Sequence, residues 1–166
     1  MPKERILILD KEIIDHKLQR MAYQIWEHNS KEKEIILIGI EKTGTVMAKN
    51  LAARLKKISP LKVEVVALKL NKKEPLNDTP ELKININNKS VILVDDVANS
   101  GKTLLYALSP LLQYEPKKIQ VAVLVDRKHK SFPVSSDIVG HSVATTLQEH
   151  IEVEHKGDEI IAAYLQ

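Results

Sequence analysis

Apolar runs and amphipathic segments alternate along the chain, which is the pattern of strands separated by helices. The amphipathic segment Lys11–His28 predicts a helix, with Asp10 as its N-cap. The Ile-rich run Glu34–Ile40 predicts a buried strand, and a second helix is expected over residues 45–58, before Pro60 stops it. Further strands are predicted at residues 63–68, 90–94, 119–125, 138–139, 149–155 and 159–165, and a third helix at residues 101–113.

Strands that alternate with helices predict right-handed βαβ units, and therefore an α/β fold with an open, twisted, mainly parallel sheet. Aromatic residues make up only 4% of the chain, which agrees because strands covered on both faces are built from aliphatic runs. Ligands of such sheets bind where loops leave the carboxyl ends of the strands. Three polar loops leave predicted strands at that edge, at residues 41–44, 95–101 and 126–136. No repeat or domain boundary interrupts the pattern, so residues 1–166 are predicted to form a single domain.

Residues 69–89 differ from the rest of the chain. They are mostly Lys, Asn, Glu, Asp and Pro and have little apolar periodicity. This composition predicts a long exposed loop, and such loops in compact domains are usually functional or disordered.

The composition indicates a globular protein and excludes several kinds of functional site. The apolar fraction of 43% and the charged fraction of 28% are those of a globular protein rather than a disordered chain. The formal net charge of +3 neither requires nor excludes a nucleic-acid partner. The absence of cysteine excludes disulfides, thiolate metal sites and cysteine nucleophiles. No apolar run approaches the roughly 18 residues of a membrane span, and no signal-peptide pattern opens the chain, so no membrane partner and a cytoplasmic location are expected.

The most informative segment is residues 91–103, Val-Ile-Leu-Val-Asp-Asp-Val-Ala-Asn-Ser-Gly-Lys-Thr. An aliphatic strand delivers Asp95 and Asp96 to its carboxyl end, and a short turn containing Ser100 and Gly101 opens a helix. Backbone N–H groups at the start of a helix, together with hydroxyl groups, form a phosphate-binding cradle. Carboxylates would repel a phosphate, so the acid pair suits sugar hydroxyls or a cation shared with the ligand.

Two other interpretations of this segment compete. Gly101, Lys102 and Thr103 match the end of a P-loop, but the first glycine of that motif would be residue 96, which is Asp96. A carboxylate there would confront the phosphates, which argues against the P-loop. The second interpretation is an ordinary strand that ends in a charged turn with both acids solvated. The combination of paired acids, hydroxyls and glycine at this spacing favours a ligand site over that interpretation.

The same segment resembles the signature with which type I phosphoribosyltransferases bind 5-phosphoribosyl 1-pyrophosphate (PRPP): an aliphatic strand, two acids, two to three variable residues, then Ser/Thr-Gly-x-Thr. By this resemblance, Asp95 and Asp96 hold the ribose hydroxyls, and residues 99–103 hold the 5-phosphate. The PRPP-binding residues that it implies are Asp95, Asp96, Val97, Ala98, Asn99, Ser100, Gly101, Lys102 and Thr103.

A second match covers residues 119–130, 132–134 and 137–140, and resembles the pyrimidine-operon attenuator/uracil phosphoribosyltransferase family. The resemblance extends over nearly the whole chain and is looser over residues 69–88. It implies a type I phosphoribosyltransferase fold with a small C-terminal β hood. It also implies transfer of phosphoribose from PRPP to a nucleobase, most directly uracil, with Mg2+ bound alongside PRPP, and a homodimer.

The resemblance also implies the other parts of the site. Residues 41–44 correspond to a pyrophosphate loop, although Thr43 stands where the family usually has Arg, so that Lys42 is the nearest cation. Residues 69–89 correspond to a flexible lid loop. The full set is Glu41, Lys42, Thr43 and Gly44 for pyrophosphate, Asp126, Arg127, Ile138, Val139 and Gly140 for the base, and Lys69, Lys72 and Lys73 for the lid.

Three alternatives stay open at this point. One is an RNA-binding, nucleotide-sensing regulator of pyrimidine genes, to which Arg20, Arg127 and Lys130 would contribute; the modest net charge disfavours it. Another is a purine phosphoribosyltransferase. Hypoxanthine-guanine enzymes place Asp where Asn99 stands, and Asn is neither an acid nor a base, which favours uracil. The last is a PRPP-binding protein with weak activity, suggested by the altered pyrophosphate loop and the short lid.

Overall fold

The computed structural model describes residues 4–70, 82–144 and 149–166. Over these ranges the chain forms three helices and eight strands. A helix follows each of the first, second and fourth strands, and the last four strands follow one another with no helix between them. The elements are β1 (Ile6–Leu9), α1 (Lys11–His28), β2 (Glu34–Ile40), α2 (Glu41–Ile58), β3 (Lys62–Leu68), β4 (Ser90–Ala98), α3 (Lys102–Leu111), β5 (Lys118–Arg127), β6 (Ile138–Val143), β7 (Ile151–Lys156) and β8 (Glu159–Leu165).

The central sheet has five strands in the order β3-β2-β4-β5-β6, and every neighbouring pair is parallel. A second, three-stranded antiparallel sheet has the order β1-β8-β7 and forms the predicted hood. The open parallel sheet with flanking helices confirms the predicted α/β fold class. The strand β1 was missed because four residues that follow charged positions give no usable periodicity.

The two faces of the parallel sheet bury separate apolar clusters. Leu37, Ile92 and Leu124 face the cluster under α1 and α2, and Ile38 and Leu93 face the cluster that contains the apolar side of α3. All five side chains are fully buried. Because complete burial of a Leu or Ile side chain stabilises the fold by about 1.5–3 kcal/mol, these aliphatic strands supply much of the driving force for folding.

The predicted N-cap of α1 is confirmed, since Asp10 accepts a hydrogen bond of 2.9 Å from the backbone N–H of Ile13. Helix α1 buries Ile14, Leu18 and Met21 on the side that faces the sheet. Over the ranges that the structure describes, no helix is both long enough and apolar enough to cross a membrane.

Several element boundaries differ from the prediction, and three of them bear on the candidate site. Helix α2 begins at Glu41, so the predicted polar turn of residues 41–44 is its first turn. Strand β4 continues to Ala98 and β5 to Arg127, so the polar residues expected in loops are the last residues of these strands. The extension follows from pairing: backbone bonds between β4 and β5 continue as far as Ala98 and Asp126, whatever the side-chain polarity.

The prediction of an exposed loop over residues 69–89 is wrong for its final part. Leu82 and Ile86 are buried, with exposed fractions of 5% and 0%, and both belong to the cluster on the α3 side of the sheet. Leu82, Ile84 and Ile86 alternate with polar residues, but a run of three apolar positions within a polar segment was too short to indicate burial. Residues 71–81 lie outside the described residues.

A pH dependence of stability follows from His141 in β6. Burial, and to a lesser extent the charge of Lys17, lower the pKa of His141 from its ordinary value of 6.5. Protonation is therefore easier in the unfolded chain, so stability falls as the pH drops below about 6.5. We expect His141→Gln to reduce this loss in thermal unfolding between about pH 5 and 6.5. An identical slope for wild type and variant would contradict the assignment, and His129→Gln in an exposed loop is the matched control.

Candidate functional site

The strand order brings the three predicted loops together. β4 lies between β2 and β5 in the parallel sheet, so the chain segments that follow these three strands leave the same edge side by side. The segment after β4, residues 99–101, is the middle one. We call residues 97–104 the phosphate loop, after the ligand that the sequence predicts for it. Residues 41–44 keep the name β2 loop, although they form the first turn of α2.

The acid pair lies within the last part of strand β4 rather than in the loop that follows it. Asp95 is buried, with an exposed fraction of 7%, and Asp96 is half-buried. Each carboxylate accepts a hydrogen bond from the next backbone N–H, from Asp96 to Asp95 Oδ1 at 2.9 Å and from Val97 to Asp96 Oδ1 at 2.8 Å. These bonds fix the orientation of both side chains at the carboxyl end of the sheet.

Gly44 brings the β2 loop into contact with the acid pair. A Cβ atom at this position would lie 2.8 Å from the carbonyl oxygen of Val94 and 3.4 Å from Asp95 Oδ1. The first of these distances is shorter than any real side chain tolerates, and the obstacle is backbone. Only glycine therefore allows α2 to start against the end of β4.

The β2 loop contains a strained residue. Glu41 has φ of 56°, a left-handed conformation that is uncommon for a residue with a side chain. Its carboxylate Oε1 accepts a hydrogen bond of 2.8 Å from the backbone N–H of Leu70, and its carbonyl oxygen accepts one of 2.5 Å from the hydroxyl of Thr45. Strain of this kind persists where surrounding contacts enforce it, and functional sites are where it concentrates. Glu41 thereby links the β2 loop to the start of the segment predicted as a lid.

The phosphate loop forms a small cavity at the start of α3. Gly101 precedes the helix with φ of 86°, and residues 97–104 line a cavity of about 60 Å³. The Ser100 hydroxyl accepts a hydrogen bond of 3.3 Å from the Lys102 N–H, which closes the turn. A cavity of this size beside backbone N–H groups at a helix start suits one compact anion such as a phosphate group.

The end of β5 contacts the phosphate loop through Arg127. This guanidinium is buried and its Nη1 donates to Asn99 Oδ1 at 3.4 Å. The neighbouring Asp126 is half-buried and pairs instead with Lys130, with 2.7 Å between Asp126 Oδ1 and Lys130 Nζ. The hydroxyl of Ser136 donates to the same oxygen at 3.4 Å.

Residues 138–140 lie inside the fold rather than at its ligand edge. Ile138 is completely buried in the cluster under α1 and α2, and Val139 packs on the opposite face of the sheet. The Arg20 guanidinium donates to the carbonyl oxygens of Val139 and Gly140, at 3.1 and 2.6 Å. This packing favours a structural role for the three residues, and the predicted base contact stays a prediction.

The lid lysines are described only in part. Lys69 is exposed and, with Lys42 and Lys49, lines a cleft of about 480 Å³ beside the β2 loop. Lys72 and Lys73 lie outside the described residues. Among the residues that are described, no three His, Asp or Glu side chains are grouped as a metal site.

Comparison with known proteins decides the family. The family model for the phosphoribosyl transferase domain matches residues 7–156. The chain belongs to the phosphoribosyltransferase family. A curated relative, the bifunctional protein PyrR of Bacillus cereus, is 35% identical over 164 residues, which cover 92% of this chain and 91% of the relative. This agrees with the resemblance to the pyrimidine-operon attenuator/uracil phosphoribosyltransferase family.

Two solved phosphoribosyltransferases share the fold of this one. The hypoxanthine-guanine phosphoribosyltransferase of Bacillus anthracis is 21% identical with a TM-score of 0.73, and the match covers 96% of this chain and 99% of that one. The hypoxanthine phosphoribosyltransferase of Trypanosoma cruzi in complex with the product IMP is 17% identical with a TM-score of 0.75, over 94% of this chain and 88% of that one. The phosphoribosyltransferase described here is accordingly a pentosyl-transferring glycosyltransferase.

Sequence reasoning missed the contact of Lys130 at this site and the contact of Arg20 with β6. Arg20 and Lys130 were assigned only to the alternative of an RNA-binding surface, yet both side chains bond to residues of their own chain. For Lys130 a signal was present, because Asp126 lies four residues earlier in the same polar loop. For Arg20 there was none, since its partners are backbone carbonyls about 120 residues away.

Replacement of Gly44 tests the contact between the β2 loop and β4. We expect Gly44→Ala to destabilise the enzyme by about 1–3 kcal/mol in urea unfolding, because the added methyl group meets the Val94 carbonyl. PRPP binding should weaken in the same variant, since Asp95 moves with the strand. Ala53→Ser, at an exposed position of the same helix, is the control. Equal stability of the two variants would show that the loop can relax without harm.

Proposed function

We propose that this phosphoribosyltransferase binds PRPP through Asp95, Asp96 and the phosphate loop, and transfers its phosphoribosyl group to uracil. The products are UMP and pyrophosphate. The observation that supports this most is the arrangement at the end of β4. Two oriented carboxylates are followed by a glycine turn, and that turn lines a cavity of about 60 Å³ at the start of a helix. Sugar hydroxyls suit the first part and a terminal phosphate suits the second.

The contacts of the site imply one orientation for PRPP. The 5-phosphate occupies the cavity of the phosphate loop, and the ribose hydroxyls bond to the acid pair. The pyrophosphate then points toward the β2 loop, because Gly44 is the neighbour of Asp95 on that side. Lys42 is exposed and supplies a positive charge there, as a point charge without the two-pronged geometry of Arg.

The acid pair also fits the cofactor expected of this family. Magnesium prefers oxygen ligands and is usually bound together with substrate phosphates, which suits a site with two carboxylates beside a pyrophosphate. When bound, Mg2+ neutralises charge on the pyrophosphate and assists its departure. Asp95 and Asp96 are the residues that would hold it, together with the oxygens of PRPP.

The reaction needs positioning more than covalent help. A nitrogen of the base forms a bond to the anomeric carbon while the bond from that carbon to the pyrophosphate oxygen breaks. Pyrophosphate leaves with the electron pair of the broken bond, and the nitrogen loses its proton to water. Positive charge develops on the ribose ring, as in glycoside hydrolysis. In the proposed orientation the carboxylates of Asp95 and Asp96 stabilise that charge. The phosphate loop holds the 5-phosphate and thereby limits the movement of the anomeric carbon.

Asn99 supports a pyrimidine acceptor. Its side-chain oxygen accepts from the buried Arg127 guanidinium, so the position offers a neutral, oriented amide and no acid or base. A purine acceptor is the alternative, and the solved relatives named above act on purines by their names. At 21% identity or less, that likeness concerns the fold.

RNA binding is a second candidate because the curated relatives are named bifunctional. The cations assigned to it are engaged inside this chain: Arg20 with backbone carbonyls, Arg127 with Asn99, and Lys130 with Asp126. We therefore do not favour RNA as a partner. Filter binding to a pyrimidine leader transcript at two salt concentrations separates the cases, and tight binding that weakens with salt would restore the regulator.

The remaining features belong to the same proposal. We infer a single domain over residues 1–166 with residues 69–89 as a lid over PRPP, a homodimer, and action in cytoplasmic pyrimidine salvage. The bond from the Leu70 N–H to Glu41 supports the lid, because it ties the start of that segment to the β2 loop.

Neutralising one acid tests PRPP binding. We expect Asp96→Asn to weaken PRPP affinity about 10- to 100-fold in calorimetry with magnesium, since hydrogen bonds to a charged group contribute about 1.5–3 kcal/mol. The fold should be intact, because an amide oxygen still accepts from the Val97 N–H. Glu64→Gln, an exposed acid on β3, controls for the loss of charge. Unchanged affinity in Asp96→Asn would remove the acid pair from the site.

A nucleobase panel tests the acceptor. We expect UMP and pyrophosphate from uracil with PRPP and magnesium, and much slower turnover of guanine, hypoxanthine and xanthine. Faster turnover of any purine would reassign the base site. No product from any of the four would leave a PRPP-binding protein without this activity.

A further inference from the structure

Residues 128–134, which we call the brace segment, leave β5 and lie across the phosphate loop. The backbone N–H groups of Ser131 and Phe132 both donate to the carbonyl oxygen of Ser100, at 3.0 and 3.1 Å. A Cβ atom at Gly101 would lie 3.3 Å from the carbonyl oxygen of Phe132. The brace segment therefore contacts both residues that form the turn of the phosphate loop.

The two parts of the Lys130 side chain make different contacts: the ammonium group with the end of β5, and the apolar stem with the phosphate loop. Its ammonium group lies 2.7 Å from Asp126 Oδ1, and the two side chains are only 15% and 14% exposed. Its Cδ lies 3.5 Å from the position that a Cβ of Gly101 would occupy. The charge thus anchors to β5 while the apolar stem covers the phosphate loop.

We propose that Lys130 is a positioning residue for the 5-phosphate site: its ion pair with Asp126 holds the brace segment on Ser100 and Gly101. The proposal rests on the proposed function, because it assigns the loop to the phosphate of PRPP. Lys130 itself does not touch the substrate in this assignment. Its effect passes through the carbonyl of Ser100, which shares a peptide plane with the N–H of Gly101 and therefore sets the direction of that N–H at the cavity.

The burial of this ion pair makes its contribution larger than that of an exposed ion pair. Exposed ion pairs contribute little because water screens them and long side chains lose entropy. Here both partners are shielded and the stem is already packed, so less entropy is lost and the attraction is stronger. Without the ammonium group, the Asp126 carboxylate keeps the 3.4 Å hydrogen bond from Ser136 but loses its charged partner, and the brace segment loses its ionic link to β5. A phosphate site is sensitive to such movement because it depends on preorganised donors.

Three variants separate the parts of this argument. Lys130→Met keeps the apolar stem and removes the charge, and Lys130→Arg keeps the charge. Lys128→Met removes the same charge from an exposed position two residues earlier and is the matched control. The readouts are kcat, the KM values for PRPP and for uracil, and amide hydrogen exchange over residues 97–104 and 131–132.

We expect Lys130→Met to raise the KM for PRPP about tenfold, equivalent to about 1.4 kcal/mol. The KM for uracil and kcat should change less, since the fault lies in the phosphate site. Lys130→Arg should recover most of the affinity, and Lys128→Met should resemble wild type. Exchange at residues 97–104 should be faster in Lys130→Met than in Lys128→Met.

Two failures are distinguishable. If the wild-type enzyme turns over PRPP and uracil but Lys130→Met matches Lys128→Met in KM and in exchange, the positioning role is overturned and the proposed function stands. If the wild type neither binds nor consumes PRPP, the proposed function falls, and this role falls with it.

Discussion

The approach of Gly44 to the end of β4 is the contact on which the candidate site depends. No side chain fits between the start of α2 and the Val94 carbonyl, so the β2 loop lies directly against Asp95. The parallel order β2-β4-β5 adds the third loop on the other side. The carboxylates, the phosphate cavity and the β2 loop are therefore adjacent because of backbone geometry, before any side-chain chemistry is considered.

The two sides of the site differ in the contacts that hold their loops in position. The phosphate loop is fixed from β5 by backbone bonds to Ser100, by the bond between Arg127 and Asn99, and by the shielded ion pair of Lys130. On the other side, the strained residue Glu41 bonds to the N–H of Leu70, at the start of the segment that the sequence predicts as a lid. Under the proposed function, a firmly held loop for the 5-phosphate therefore lies beside a strained loop for the pyrophosphate.

The sequence predicted the parallel sheet and the position of the acid pair near the end of β4 because both follow from local patterns, whereas the chemistry of that end stays a prediction. Aliphatic runs separated by amphipathic helices leave few topologies, and two acids before a Ser-Gly turn occupy consecutive positions. The sequence pattern did not predict contacts between segments that are far apart in the chain. These contacts are the burial of Leu82 and Ile86, the pairing of β1 with β8, and the bonds of Arg20 to the carbonyls in β6. The sequence also predicted the acid pair after the end of β4, whereas it lies within the strand, because pairing with β5 extends β4 through polar residues.

The most direct test of this account is a crystal structure of the enzyme with PRPP and magnesium. The account predicts the 5-phosphate in the cavity of residues 97–104, with the ribose hydroxyls within hydrogen-bond distance of the Asp95 and Asp96 carboxylates. A phosphosugar bound elsewhere, with that cavity empty and the two carboxylates facing solvent, would contradict it.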